Sequence, residues 1–386
     1  MFGCSVNEKA IGSSAIILMF GSVFNNSTVL VTGHTGFKGS WLCSWLLNLG
    51  ARVHGFSLKD NQAYPLYDQL GLAKKLASDC RGDVSDLEEI RERVAKIRPA
   101  FIFHLAAQAI VRTSFDDPLE TFRTNVMGSL HVLEALRSLE TPAVCIVVSS
   151  DKCYENREWL HAYREEDAMG GYDPYSASKG CVEIATASYR RSFFPASSIH
   201  RVASARAGNV IGGGDWAKDR IVPDVFRALQ ANQSIPVRNK HSTRPWQHVL
   251  EPLSGYLWLA ANLASPELMN LPYNELSGSF NFGPAPQSNR TVAEVVQEIL
   301  KHVPGKWFDA STANSVHEAG KLNVAIEKAY HLLGWSPTWG FEKAIENTVA
   351  WYTGFQNTKD CFGMTNKQIE DYCQAAQSQS IAWAIH

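Results

Sequence analysis

Tyr175 and Lys179 lie four residues apart in the run Tyr175-Ser176-Ala177-Ser178-Lys179. On a helix that spacing puts both side chains on one face. A phenol of pKa ~10 is a poor base at neutral pH. A neighbouring ammonium favours the phenolate and lowers that value, as does the positive ring of an oxidised nicotinamide. A tyrosine so placed can take a proton from a sugar hydroxyl while hydride leaves the same carbon. Tyr-x-x-x-Lys also arises by chance. Here its weight comes from its context, which includes a hydroxyl-bearing segment, Ser149-Ser150, and a glycine turn far upstream.

That turn is Gly33-His34-Thr35-Gly36-Phe37-Lys38-Gly39. Gly33, Gly36 and Gly39 fall between a short apolar run and a helical pattern, where a dinucleotide needs them. One glycine permits the tight turn, another lets the backbone approach a pyrophosphate, and the third allows close helix–sheet packing. The N–H groups at the helix start then receive phosphate. On this reading Gly33, Thr35, Gly36, Phe37, Lys38 and Gly39 form a cofactor-binding segment. Asp83, after Arg81-Gly82, is placed to bond an adenine amine, with Val84 beside it. An acidic residue some 20 positions past the glycines would bind the adenosine ribose and favour NAD. Asp60 is the candidate, but Lys59 next to it suits a 2′-phosphate, so this pair leaves NAD and NADP both open.

Strands and helices must alternate to carry these groups. Residues 28–32 read as a strand covered on both faces, short, β-branched and almost wholly apolar. Trp41, Leu42, Trp45, Leu46 and Leu49 recur at helical spacing, and Gly50 stops that helix. Further strands are predicted over 52–58, 101–107, 143–149 and 200–205, and helices over 86–97, 118–139 and 175–191. Asp173-Pro174 supplies an N-cap and a proline at the first helical position of the last of these. The expected class is α/β, a Rossmann-type doubly wound parallel sheet. A smaller C-terminal substrate-binding α/β domain is built onto it. The boundaries read as a disordered extension or upstream mis-start over 1–18, a dinucleotide-binding Rossmann domain over 19–205, a substrate-binding domain interleaved with it over 206–360, and a C-terminal tail over 361–386. Helices are expected near 291–301 and 341–352.

Bulk properties exclude other classes. The 386 residues allow about two domains, and 45% apolar against 19% charged residues allows a sizeable core. A formal net charge of −2 gives no basic footprint for nucleic acid. The apolar run 15–20 is far below the ~20 residues of a membrane span. The eight cysteines include no Cys-x-x-Cys pair, so no metal site is expected. Cys43, Cys145 and Cys181 fall in apolar periodic segments and read as small buried residues of a cytoplasmic protein.

Longer motifs carry a family resemblance over nearly all of 19–374. They are Thr32 to Trp41, His104-Leu105-Ala106-Ala107-Gln108, Ser150-Asp151-Lys152-Cys153-Tyr154, Gly171-Tyr172-Asp173-Pro174-Tyr175, Arg206 to Trp216, and Arg244-Pro245-Trp246-Gln247-His248-Val249. The chain resembles the extended short-chain dehydrogenase/reductases, the NAD-dependent epimerases and dehydratases. Most sugar-nucleotide 4,6-dehydratases carry Thr-Asp-Glu where this chain has Ser150-Asp151-Lys152, and the lysine resembles the branch that acts on CDP-glucose.

The resemblance implies NAD as cofactor, with Leu105, Ala106, Ala107 and Gln108 beside it. It implies a reaction without net redox change. Tyr175 removes the 4-hydroxyl proton as hydride leaves carbon 4, and Ser150 bonds that oxygen. Lys152 takes part in removing the carbon-5 proton, Asp151 protonates the departing 6-hydroxyl, and hydride returns to carbon 6. As a base, Lys152 needs a pKa several units below ~10.4; as a cation it would instead stabilise the enolate. Arg220 and Arg244 are candidates for the substrate diphosphate, since the planar guanidinium donates two parallel hydrogen bonds. Asn209 adds an amide, and Arg112 lies near the sugar. Association through helices 118–139 and 175–191 into a homodimer or homotetramer is implied. Rival readings are a nucleotide-sugar 4-epimerase, a dehydratase for another nucleotide-hexose, and a dinucleotide-sensing protein without catalysis.

Overall fold

The computed structural model describes residues 16–59, 65–311, 320–358 and 360–386. Of the expected N-terminal extension, residues 1–15 lie outside the described residues. The remainder begins a helical turn whose Ile16 is 1% exposed and packed into the main core.

The sheet comprises β1 Thr28–Thr32, β2 Arg52–Ser57, β3 Ser78–Arg81, β4 Phe101–His104, β5 Val144–Val148, β6 Arg201–Arg206 and β7 Ser279–Asn281. Every pairing is parallel, in the order β7-β6-β5-β4-β1-β2-β3. Side chains alternate between the two faces of each strand. Val29 and Val31 of β1 join Phe101 and Phe103 of β4 in one core cluster; Leu30 and Ile102 join the cluster on the opposite face. Burial on both sides explains why these strands are continuous apolar runs in the sequence. The order reverses between β1 and β4, and ligands of such sheets bind in the crevice outside the carboxyl ends at that point.

Helices cover both faces: α1 Phe37–Asn48, α2 Leu87–Ile97, α3 Gly128–Arg137 and α4 Pro174–Phe193. Asp173 caps α4 by accepting from Ser176 N at 2.9 Å, and Pro174 takes the first helical position. The long helix expected over 118–139 forms in three parts, Pro118–Phe122, a π-helical turn Arg123–Met127, and α3. The strand expected over 101–107 ends at His104, because Leu105 to Gln108 leave the sheet to line a cavity. Cys43 and Cys145 are buried as expected, whereas Cys181 is exposed on the outer face of α4.

The second half comprises short strand pairs and helices. Ile235–Val237 pairs with Trp307–Asp309, and Thr243–Pro245 with Asn289–Thr291. Helices α5 Ile221–Gln230, α6 Leu250–Ala264, α7 Phe341–Asn357 and α8 Cys361–Ser378 complete it. The two halves interpenetrate. Strand β7 completes the first half's sheet, and α6, buried on nearly every side, shares a core with Val29 and Val31.

Residues 361–386, set apart as a tail in the sequence, are built into that core. Glu251 of α6 accepts from Thr338 N at 2.9 Å, Trp339 N at 2.7 Å and the Tyr372 hydroxyl of α8 at 2.8 Å. Trp383 is fully buried and stacks on Phe20 at 4.9 Å and on Tyr372 at 5.6 Å. Truncating a buried tryptophan removes transfer free energy and leaves a cavity. Trp383→Ala is therefore expected to cost ~3–5 kcal/mol in urea unfolding. A loss below about 1 kcal/mol would show that the C-terminal segment is not part of the cooperative core.

Candidate active site

A cavity of ≈ 650 Å³ opens at the carboxyl ends of β1 and β4. Its floor begins at the glycine turn. Gly33 has φ +72°, and a Cβ there would meet the backbone N of Ala106 at 2.7 Å. A Cβ on Gly39 would lie 2.2 Å from Gly33 O. Both glycines are thus dictated by close backbone approach, and the first turn of α1, whose N–H groups lack intrahelical acceptors, faces the cavity.

The neighbouring loops are held by buried hydrogen bonds. Thr32 Oγ1 bonds His104 Nδ1 at 2.7 Å, and His104 Nε2 bonds Ser129 Oγ at 2.9 Å. Burial, aided by the Lys179 charge, pushes His104 down to about 3, so this link stays neutral. Asn125, turned inward by the π-helical turn, accepts from Gln108 N at 2.8 Å and donates to Gln108 O at 3.1 Å and to Ser178 Oγ at 2.8 Å. It ties the loop after β4 to α4. Nothing in the sequence signals it, because a π-turn has no composition of its own.

The structure gathers most of the residues singled out in the sequence. Gly33, Gly36, Phe37, Lys38, Gly39, Asp83, Val84, Leu105, Ala106, Ala107 and Gln108 line one end of the cavity. Ser150, Asp151, Lys152, Tyr175 and Lys179 line the same cavity, as do Asn209, Arg220 and Arg244, and the Arg220 charge acts on both Lys38 and Tyr175. Thr35 is the exception. It is absent from the lining, and its hydroxyl bonds Ser57 Oγ at 2.7 Å, so it braces the glycine turn against β2. Asp83 accepts from Ser85 N at 2.8 Å and Arg123 Nη2 at 3.2 Å. Lys59 is exposed, and Asp60 lies outside the described residues, so the ribose-acid expectation rests on the sequence alone.

At the centre, Ser150 Oγ donates to Asp151 Oδ1 at 3.0 Å, and the Ser150 hydroxyl is near enough to Tyr175 to favour its phenolate. Lys179 Nζ donates to Val148 O at 3.4 Å. Burial lowers Lys179 to about 8, with Glu183 opposing that fall. The expectation that the tyrosine would be brought down is reversed in the protein alone. Burial pushes Tyr175 up to about 12, against the Ser150 hydrogen bond, and the Asp151 charge adds to the rise. The phenol stays protonated here although the Arg220 charge opposes the rise, and further positive charge beside it is needed before it can act as a base.

Asp151 is 1% exposed, and its Oδ2 has no hydrogen-bond partner among the described residues. It is wedged against Gly208, where a Cβ would fall 1.8 Å from that oxygen. Gly208 was quoted in the sequence only as part of a motif; its role is to make room for this carboxyl. Lys152, next in the chain, is half-buried and lines both the main cavity and a smaller adjoining one that also holds Glu155 and Asp173. At the far end, Arg220 Nη1 donates to Asp215 Oδ2 at 2.9 Å, and Arg244, 7% exposed, donates to Thr243 O at 2.9 Å. Arg112 and Asp219 pair across the cavity mouth at 3.4 Å.

The arrangement can bind a dinucleotide over the glycine turn and a second elongated, anionic ligand toward the arginines. Between them lie a hydroxyl, a phenol, an ammonium and an unpaired carboxyl, enough for proton removal and proton donation on adjacent carbons.

The chain is similar to known proteins over most of its length. The GDP-mannose 4,6 dehydratase family matches residues 30–348. The CDP-glucose 4,6-dehydratase of Salmonella typhimurium is 42% identical over 356 residues, covering 90% of this chain and 96% of the relative. GDP-mannose 4,6 dehydratase 1 of Arabidopsis thaliana is 25% identical, over 83% of this chain and 88% of its own. Among solved structures, the dTDP-glucose 4,6-dehydratase of Streptomyces venezuelae, with NAD bound, aligns with a TM-score of 0.72 at 21% identity, over 86% of this chain and 98% of its own.

Two glycine substitutions test this geometry. Gly39→Ala is expected to weaken dinucleotide binding at least tenfold in calorimetric titration, since the turn must open to relieve the clash. Gly208→Ala should leave that binding intact and cost turnover on the order of 10²-fold, the usual penalty for a catalytic group misplaced by about 1 Å. Equal effects on binding from both would contradict the division of the cavity.

Proposed function

The chain belongs to the GDP-mannose 4,6 dehydratase family, and on that premise we propose that it converts CDP-glucose to CDP-4-keto-6-deoxy-glucose with NAD as a resident cofactor. One observation carries the elimination chemistry: Asp151 and Lys152 stand beside Ser150 and Tyr175 in a single cavity. An epimerase needs only the hydride step and has no use for that acid–amine pair. CDP-glucose as substrate is supported by the 42% identity to a protein of that specificity and by the lysine at position 152.

NAD fits what the residues offer. The backbone approach at Gly33 and Gly39, the open first turn of α1 and the cavity running from Asp83 to Tyr175 suit a dinucleotide laid across the strand ends. When bound, it accepts a hydride and later gives it back. The chain's own groups handle the protons. Tyr175 takes the 4-hydroxyl proton as hydride leaves carbon 4, and Ser150 holds the oxygen. The resulting ketone acidifies the carbon-5 proton, which Lys152 removes. Asp151 protonates the 6-hydroxyl, which departs as water. After hydride reaches carbon 6, Lys152 returns a proton to carbon 5. Arg220, Arg244 and Asn209 bind the nucleotide end.

We also propose a cytoplasmic homodimer or homotetramer with no nucleic-acid or membrane partner. Leu119, Met127 and Ile184 are exposed on the segment 118–137 and on α4, which supports association through those helices. Among the described residues no helix is long and apolar enough to cross a membrane.

Purified protein should convert CDP-glucose and leave dTDP-, UDP- and GDP-hexoses largely unchanged, read by the ultraviolet absorbance of the 4-keto product in alkali. In deuterated water the product should gain one deuterium at carbon 5. Lys152→Met should retain NAD binding and lose dehydration by roughly 10²–10⁴-fold, the range for a general base. Undiminished turnover in that variant would remove the lysine from the mechanism, and preference for another nucleotide would overturn the substrate.

A further inference from the structure

Beyond the cavity wall lies a buried ion pair that the proposed mechanism does not use. Glu183 sits one turn after Lys179 on the same face of α4. Glu183 and Arg206 are 4% and 3% exposed. Arg206 Nη2 donates to Glu183 Oε2 at 2.9 Å, and Ser204 Oγ donates to the same oxygen at 2.7 Å. Arg206 Nη1 donates to the Tyr154 hydroxyl at 2.7 Å and to Glu165 O at 3.0 Å. The guanidinium therefore joins α4 to the turn that carries Asp151 and Lys152.

A buried ion pair is weak evidence for stability, since desolvating both charges offsets much of their attraction. Its place one turn behind Lys179 suggests another role. We propose that Glu183, held by Arg206, is a positioning residue that keeps Lys179, one helical turn from Tyr175, protonated. This rests on reading Tyr175 and Lys179 as the hydride-step pair.

The charges around Lys179 support it. From α1, Lys38 repels it; from β4, His104 is kept neutral by burial; from the turn before Tyr154, the buried Cys153 thiol is pushed up and stays uncharged. On its own helix, Tyr175 is a neutral phenol and Glu183 an anion. Burial drives Lys179 toward the neutral amine, and Glu183 opposes this. Burial likewise pushes the Glu183 carboxyl up, but the Arg206 guanidinium and the Ser204 hydroxyl bring it below its ordinary value. Arg206 thus keeps Glu183 ionised, and Glu183 keeps Lys179 ionised. A neutral Lys179 would remove the cation one helical turn from Tyr175 and leave the Arg220 charge as the one that still favours the phenolate.

The test is the titration of Lys179 itself, in protein uniformly ¹³Cε-labelled at lysine and without substrate. Its resonance is assigned by its loss in Lys179→Arg. Glu183→Gln should move the midpoint to lower pH by about one unit, the scale on which a single nearby charge acts. The alkaline limb of the kcat profile should follow. Glu183→Asp, which keeps the charge, should restore most of the midpoint. Glu183→Gln combined with Arg206→Gln, which leaves no uncompensated buried cation, should still move the midpoint down, but by less, because the repulsion from Arg206 is removed as well. An unmoved midpoint in either folded Gln variant would overturn the proposal and leave Glu183 a packing residue. Failure of the underlying reading looks different: Tyr175→Phe would turn over normally whatever the Lys179 titration shows.

Discussion

Taking the ammonium of Lys179 out of water is the constraint that the rest of the site answers. The lysine sits on the inner face of α4 at the carboxyl ends of the strands, where water is excluded. Excluding water strengthens every interaction a charge makes there, and raises the cost of leaving it unpaired. The hydrogen bond to Val148 O comes from the end of β5. A neutral histidine at the end of β4 is locked between Thr32 and Ser129. The parallel sheet brings these ends to one level, so a single helix laid across them can hold its lysine against several strands at once.

The same burial raises the phenol it serves. Tyr175 on its own is a worse base than free tyrosine. Under the proposed mechanism, the positive ring of the oxidised nicotinamide would add charge beside the phenol, so that proton removal and hydride removal would go together.

Elements were legible in the sequence where local chemistry dictates local shape. The glycine turn, the Asp173-Pro174 start of α4 and the apolar strands carry their own signals, and the structure places them where those signals put them. So were residues bound by short spacing, such as Tyr175 and Lys179. What escaped was set by tertiary contact. Thr35 belongs to the glycine motif by position, yet its hydroxyl turns to Ser57, because the turn needs bracing where it crosses β2. Asn125 acts through a π-turn, and Gly208 through a carboxyl 57 residues earlier in the chain. Glu183 was readable in principle as a third position at four-residue spacing after Tyr175 and Lys179. Its meaning depends on Arg206 arriving from β6. The C-terminal segment looked like a tail because the partners of its aromatic residues lie far off in sequence: Trp383 stacks on Phe20, and Tyr372 meets Trp45 edge to face.

On the proposed mechanism, the difference between moving a hydride and expelling water comes down to one short turn. Ser150, Asp151 and Lys152 follow directly from β5, and the backbone N–H of Lys152 donates to Ser150 Oγ at 3.2 Å. That tight geometry sends the Asp151 carboxyl inward against Gly208, while Lys152 stays at the wall between two cavities. An acid and an amine adjacent in sequence would ordinarily neutralise one another as an ion pair. Here they diverge, and Asp151 Oδ2 is left without a donor among the described residues. A carboxyl left without a partner at the cavity wall is free to bond a ligand hydroxyl, which is what the proposed expulsion of water asks of it.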